Sequence, residues 1–284
     1  MSGSAEQVLR IAPAHGWVGL KLHELWQYRE LLFFLTWRDI RVRYRQTVLG
    51  VLWAIMVPVV STVLFTVVFA RMANVDSDNR PYPLFALAAL LPWGFFAAAL
   101  AQCANSVAQS SHLMSKVYFP RLIAPLAAVL GGLPDFIIAF GVFMVATIVY
   151  LANGSLSVEA LPGPNLLLLP LFVVMTIMAA LGSGLWLAGL SAKYRDVKHA
   201  VPFLIQAWLF MTPVVYSANE ITPNYRTLIG LNPMIGVVEG FRWSLLNIRP
   251  NVPTILLSAL VAAFLLVTGA FFFRRVEKSF ADLL

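Results

Sequence analysis

The sequence predicts an all-α integral membrane protein. It should have six transmembrane helices, an N-terminal interfacial helix, a short cytoplasmic connecting helix and external re-entrant helices. Three observations lead there. The 284 residues are 60% hydrophobic and only 12% charged, about half the charged fraction of a soluble domain. Apolar runs near the roughly 20 residues that cross a bilayer as a helix recur along the chain. The basic residues are unevenly shared between alternate connections, as membrane topology requires.

Residues 1–47 read as a cytoplasmic N-terminal region of mixed polarity. No short apolar core followed by a small-residue cleavage site is present, so no cleavable signal peptide is expected. From Trp17 to Tyr44 the pattern suits one or two amphipathic helices lying on the inner leaflet. At 100° per residue Arg38, Arg41 and Arg45 fall within one arc. Trp37, Ile40, Tyr44 and Val48 lie to one side of that arc, and Arg43 is off the arginine stripe. Gly50 would ease the turn into the first span.

The membrane body, 48–273, divides into spans at about 48–70, 84–108, 122–151, 165–191, 199–217 and 254–273, followed by a cytoplasmic tail at 274–284. The third span is long and interrupted by Gly131-Gly132 and Pro134, so it should tilt, kink or begin in the interface. The fifth is short and carries Pro202 and Pro213. With six spans and both termini inside, fifteen Lys and Arg face the cytoplasm and five face outward, which sets the orientation. The long connection at 218–253 is external. Its apolar middle, Met234 to Leu246, contains Glu239 and Arg242, too polar to span and too apolar for a free loop. One or two short helices dipping into the outer leaflet fit it. No internal repeat is apparent, so the inverted-repeat design of many secondary transporters has no support.

Several chemistries are excluded or weak. A single cysteine, Cys103 in an apolar stretch, rules out an internal disulfide framework and multi-cysteine metal sites. The +7 net charge sits beside apolar spans, so topology explains it before nucleic acid does. "DSD" at 76–78 matches a short metal motif of nucleotide-sugar enzymes, but falls in an external loop and reads as solvated. No catalytic and no metal-binding constellation is found.

Five stretches, taken in order, resemble a known family. They are "RDIRVRYRQTVLGVLWAIMVP" (38–58), "MSKVYFPRLIAPL" (114–126), "KYRDVKHAVPFLIQAWLFMTPVVYS" (193–217), "LNPMIGVVEGFRWSLL" (231–246) and "FRRVEKSFADLL" (273–284). Together they resemble permeases of the type-2 ABC exporter class, in the branch that exports O-antigen, capsule and teichoic-acid polysaccharides. The resemblance covers about residues 30–284; the first 20 match nothing familiar. It implies a homodimer of permeases around a channel in the bacterial inner (cytoplasmic) membrane, with a separate ATP-binding-cassette ATPase dimer below. The chain has no GxxxxGK[ST] phosphate loop, so ATP and Mg2+ would belong to that partner and no cofactor to this chain. Membrane lipids and a lipid-linked polysaccharide are the other implied partners; nucleic acid is not.

Three groups of residues follow. The connection at 109–121 is the candidate coupling helix, a short rigid element with a sharp proline stop. Ser111, His112, Met114, Ser115, Lys116, Tyr118, Phe119 and Arg121 would dock in the ATPase; an ordinary interfacial turn is the plain alternative. The collar Arg38, Arg41, Arg43 and Arg45 either fixes topology and meets anionic lipid, or also holds the cargo. The resemblance implies a glycan on a polyprenyl diphosphate, whose oxygens suit the planar arginine fork. The aromatics Trp53, Phe65, Phe69, Phe85, Trp93, Phe96, Trp208 and Tyr216, with neighbouring Phe95 and Phe210, either line a channel for sugar faces or are ordinary membrane aromatics.

Asp135 is the one charge deep in an apolar run. It is either a proton-relay carboxylate or a structural one satisfying backbone freed by the helix break. Asp196 is expected as the N-cap of the fifth span. Two other readings of the whole chain remain. One is an exporter of the same superfamily for a drug or small lipid, and the other a proton-coupled secondary transporter. A membrane glycosyltransferase would need a cytoplasmic carboxylate cluster, and the cytoplasmic segments hold none.

Overall fold

A computed structural model describes residues 22–45, 50–110, 113, 119–157, 161–194, 196–220, 222 and 227–277. Among these residues the regular structure is all helical. Five of the described segments are long and apolar enough to cross a membrane: Gly50–Met72, Tyr82–Gln109, Ile123–Ala152, Pro164–Lys193 and Val252–Glu277.

The short α1 (Leu22–Gln27) leads into α2 (Arg29–Arg45). Next, α3 (Gly50–Phe65) contains Pro58 and continues as a π-helical turn, Thr66–Met72. Proline donates no hydrogen bond. Thr62 Oγ1 donates to the Pro58 carbonyl at 2.7 Å and Thr66 Oγ1 to the Thr62 carbonyl at 2.7 Å, which keeps the polar groups of this apolar helix satisfied. Asn74, Asp78 and Asn79 then take left-handed backbone angles, which short polar side chains tolerate. Together they reverse the chain into α4 (Tyr82–Gln109).

The core forms around α4. Leu84, Phe85, Ala86, Phe96 and Leu100 have no exposed surface, and 72% of the helix's apolar window is buried, against 6% for Gly50–Met72. An apolar helix covered on all sides belongs in a core. Around it stand α5 (Ile123–Leu130), α6 (Leu133–Ala152), α7 (Leu169–Lys193, after a 3-10 turn at Pro164–Leu168), α8 (Val197–Phe210) and α9 (Pro233–Leu246). The last helix, α10 (Val252–Glu277), packs along α7. That pair touches through glycines: a Cβ on Gly182 would stand 2.5 Å from the Leu266 nitrogen, and one on Gly269 2.4 Å from the Gly182 oxygen. Next to this crossing Trp186 stacks on Phe272 with centroids 4.1 Å apart. Cys103 is buried in the same core.

The fifth expected span, 199–217, differs from the sequence reading. Its helix is the fourteen residues of α8, about 21 Å long at 1.5 Å per residue, short of the roughly 30 Å of hydrocarbon. Asp196 stands at its N-cap without a side-chain capping bond. Pro213 follows the end of α8, and the segment 211–217 is not helical. Its carbonyls find another donor. Arg242 of α9 donates to the Pro213 and Val214 carbonyls at 2.8 Å each and to Tyr216 at 3.1 Å, with its guanidinium 3.6 Å from the Phe85 ring centroid.

The apolar middle of the 218–253 connection is α9, buried against α4, α7 and α10. Asn232 sets its start. Its Oδ1 accepts from the Met234 amide at 3.0 Å and from Trp208 Nε1 at 2.8 Å, and its Nδ2 donates to Thr212 Oγ1 at 2.9 Å. One side chain thus caps α9 and ties it to the end of α8. Asn247, left-handed at φ 54°, closes the helix.

Candidate functional site

The helix α2 lies along α5 in matched steps. Leu35, 1% exposed, packs with Phe119, Ile123 and Ala127. One turn on, Asp39 stands beside Gly131. One further turn on, Arg43 Nη1 and the Tyr44 hydroxyl both bond the carboxylate of Asp135. Steps of four on each helix advance together, so α2 rises beside α5 and meets the first turn of α6. The twenty residues of α6 cover about 30 Å by themselves. Asp135 lies in the first turn of that helix, where the helix dipole favours an anion.

This adds one thing to the expectation for Asp135: it is accompanied by a base, Arg43. Its oxygens take an arginine and a phenol; the break at Gly131-Gly132 is spanned by backbone bonds, such as Gly131 N–H to the Ala127 carbonyl at 2.9 Å. Burial, and then the bond to Asp135, push the Tyr44 hydroxyl well above its ordinary range, so it remains a proton donor.

The collar arginines divide by partner. Arg38 bonds its neighbour Asp39 through Nε at 3.0 Å and Nη2 at 2.8 Å. Arg43 is held by Asp135. Arg41 lies over the Trp37 ring at 5.5 Å. Arg41 and Arg45 are exposed, and among the described residues neither has an acidic partner. They lie four residues apart and so are neighbours on one helix face. The stripe of three contracts to a pair. Phe33, Phe34 and Trp37 are also exposed on α2, and Trp26 on α1.

Of the proposed docking residues, Ser111, His112, Met114, Ser115, Lys116 and Tyr118 lie outside the described residues. Phe119 is 4% exposed and packs inward on Leu35. Arg121 Nη1 donates to the Glu277 carbonyl at 2.6 Å, and its amide to Glu277 Oε1 at 3.4 Å. Both residues therefore brace the connection against α2 and the end of α10.

The aromatics fall into three situations. Trp53 is half exposed on α3. Phe65 and Phe69 meet edge to face at 5.7 Å and lean on the core. Phe85, Trp93 and Phe96 are buried in the chain's own core, and partly buried Trp208 packs on Phe96 at 5.0 Å. A ring without exposed surface meets no cargo, so these buried rings back the wall of the bundle. Tyr216 is partly buried against the same core.

Asp78 of the "DSD" loop is not merely solvated. It accepts from Ser217 Oγ at 2.6 Å and Asn219 Nδ2 at 2.9 Å, joining the 73–81 loop to the 211–220 segment. Sequence reading passed over Asn232, and it saw Arg242 only as a break in polarity. An arginine and an asparagine within apolar runs were the available signal.

Comparison with known proteins agrees with this architecture. The O-antigen export system permease protein RfbA of Myxococcus xanthus is 27% identical over 264 residues, covering 92% of this chain and 98% of the relative. A protein of the same description from Klebsiella pneumoniae is 25% identical over 90% of this chain and 95% of its own length. The polysialic acid transport protein KpsM of Escherichia coli is 22% identical over 71% and 76% of the two chains. The sequence profile of the family described as ABC-2 type transporter matches residues 30–246. With that match over most of its length, this multi-pass membrane protein belongs to the ABC-2 type transporter family.

Proposed function

We propose that the chain is the membrane permease of an ATP-driven exporter that moves a lipid-linked polysaccharide, of O-antigen type, out of the cytoplasm. The reading rests on one observation: similarity over nine-tenths of this chain to relatives described as O-antigen export permeases. In this reading two copies pair around the channel and a separate ATPase dimer supplies the energy. Both termini face the cytoplasm of a bacterial inner membrane. Helix α8, completed by 211–217, is a fifth crossing, and α9 is a re-entrant helix of the outer leaflet.

Geometry supports a role for the basic end. Arg41 and Arg45 are exposed near the point where α2 gives way to the first span. A phosphate or diphosphate headgroup at the inner surface would find two guanidinium forks on one face. Trp53 with Phe65 and Phe69, on the least covered span, are the candidates for contact with sugar faces.

The test is reconstitution of the chain with its ATPase in proteoliposomes containing lipid-linked O-polysaccharide. ATP-dependent appearance of the glycan on the far side of the membrane is expected. Transport of small amphiphiles but not of the glycan would overturn the reading. The double change Arg41→Gln with Arg45→Gln should lower transport at limiting substrate by about tenfold or more, the size of one or two lost charge-assisted hydrogen bonds. Folding and membrane orientation should be retained, checked by gel filtration and cysteine labelling from each side.

A further inference from the structure

The rotation of α2 about its own axis is not dictated by amphipathicity. Its apolar side chains surround the helix: Leu35 is buried, while Phe33, Phe34, Trp37 and Val42 are exposed. A membrane surface therefore offers no strong preference for which face turns outward. At 100° per residue a turn of the last segment by about 80° would exchange Arg41 and Arg45 for Val42. Specific contacts must set the rotation. Leu35 sets it at one end, in its cluster with Phe119 and Ile123. At the other end only two side chains tie the last turn to the spans by polar bonds among the described residues, Arg43 and Tyr44, and both are held by Asp135.

We propose that Asp135 and Tyr44 are positioning residues for an anionic headgroup site on α2, fixing its last turn so that Arg41 and Arg45 face outward together. This rests on the reading of that pair as the headgroup contact given above. The ligand chemistry is a phosphate or diphosphate ester at the inner membrane surface. Asp135 does not touch it. Its carboxylate holds the inward arginine, and the outward pair is presented as a consequence. Alternate arginines serve opposite purposes here: Arg43 anchors, while Arg41 and Arg45 bind.

Farnesyl diphosphate is the probe, titrated against the full-length permease purified with its ATPase. Asp135→Asn should weaken binding about fivefold, as when a productive arrangement falls to about a fifth of the population. Tyr44→Phe, which removes a single hydroxyl, should weaken it in the same direction by about twofold, and remains informative if the first variant does not fold. Exchanging the pair, Arg43→Asp with Asp135→Arg, should restore most of the loss, because the tie is rebuilt with its charges reversed. Inorganic pyrophosphate, which shares only the diphosphate, should follow the same order. In transport, the effect should fall on KM with kcat retained. Wild-type affinity in both Asp135→Asn and Tyr44→Phe, or no recovery in the exchanged pair, would overturn the positioning role. Wild-type affinity in the Arg41→Gln, Arg45→Gln double variant would instead overturn the headgroup reading beneath it.

Discussion

Replacing Gly182 by valine should abolish accumulation of folded protein in the membrane, and alanine at the same position should lower its thermal stability. The expectation follows from what the added carbon would meet. A Cβ at Gly182 stands 2.5 Å from the Leu266 nitrogen and 2.6 Å from the Leu265 carbonyl carbon, both backbone atoms. A flexible neighbour could rotate away; a backbone cannot. The helices α7 and α10 would have to separate by an ångström or so, disturbing the Trp186–Phe272 stack beside them. Lipid provides no hydrophobic force to close such a gap, since association inside a bilayer depends on close packing of small residues. Overpacking commonly costs about 1–3 kcal/mol, and alanine is expected at the upper end of that range. Gly141→Ala is the control. Nothing lies within 4 Å of its added carbon, and a change of less than about 0.5 kcal/mol is expected. Size-exclusion chromatography after graded heating measures all three. Wild-type melting of the alanine variant would show that α7 and α10 do not approach as closely as described.

Sequence alone was a good guide where apolar runs end in strong punctuation. The ends of the first, second and fourth spans lie within two residues of the helical segments Gly50–Met72, Tyr82–Gln109 and Pro164–Lys193. In the fifth the helix ends before the apolar run does, for a physical reason. The run "FLIQAWLFMTPVVYS" stays apolar past the point where Pro213 follows the end of the helix, and hydropathy does not sense a backbone break. The donor that satisfies the freed carbonyls is Arg242, nearly thirty residues later. Asp135 was hidden in the same way, since its partners Arg43 and Tyr44 lie about ninety residues before it. Helical spacing did separate Arg43 from the arginine stripe, because one periodic element suffices for that. It could not tell exposed Trp53 from buried Phe85 and Phe96. In a soluble helix a polar face marks the outside, whereas a membrane helix is apolar all round and its rotation is written only in its neighbours.

Arg242→Met should be the most damaging single substitution at the end of the bundle that carries Asp78. Methionine fills much of the arginine stem's volume, so lost packing on Phe85 accounts for little. What disappears is the set of donors to the carbonyls of Pro213, Val214 and Tyr216. These groups are freed because the chain is not helical there, and unsatisfied carbonyls in a membrane cost several kcal/mol each. Asp78 and Glu239, which line the same small pocket as Arg242, would also lose the positive charge beside them. Removing one partner from such a buried group costs about 3–5 kcal/mol, enough to release the 211–217 segment even if the rest of the bundle survives. Arg242→Lys keeps the charge but replaces a planar fork by a point donor. It can serve one or two of the carbonyls, so an intermediate loss is expected. Limited proteolysis, together with thermal melting, would rank wild type above lysine and lysine above methionine. A methionine variant as resistant as wild type would mean that the segment draws its order from elsewhere. In that case the Asp78 bonds to Ser217 and Asn219 would be the contacts holding it, and Asp78→Ala rather than Arg242→Met would loosen it.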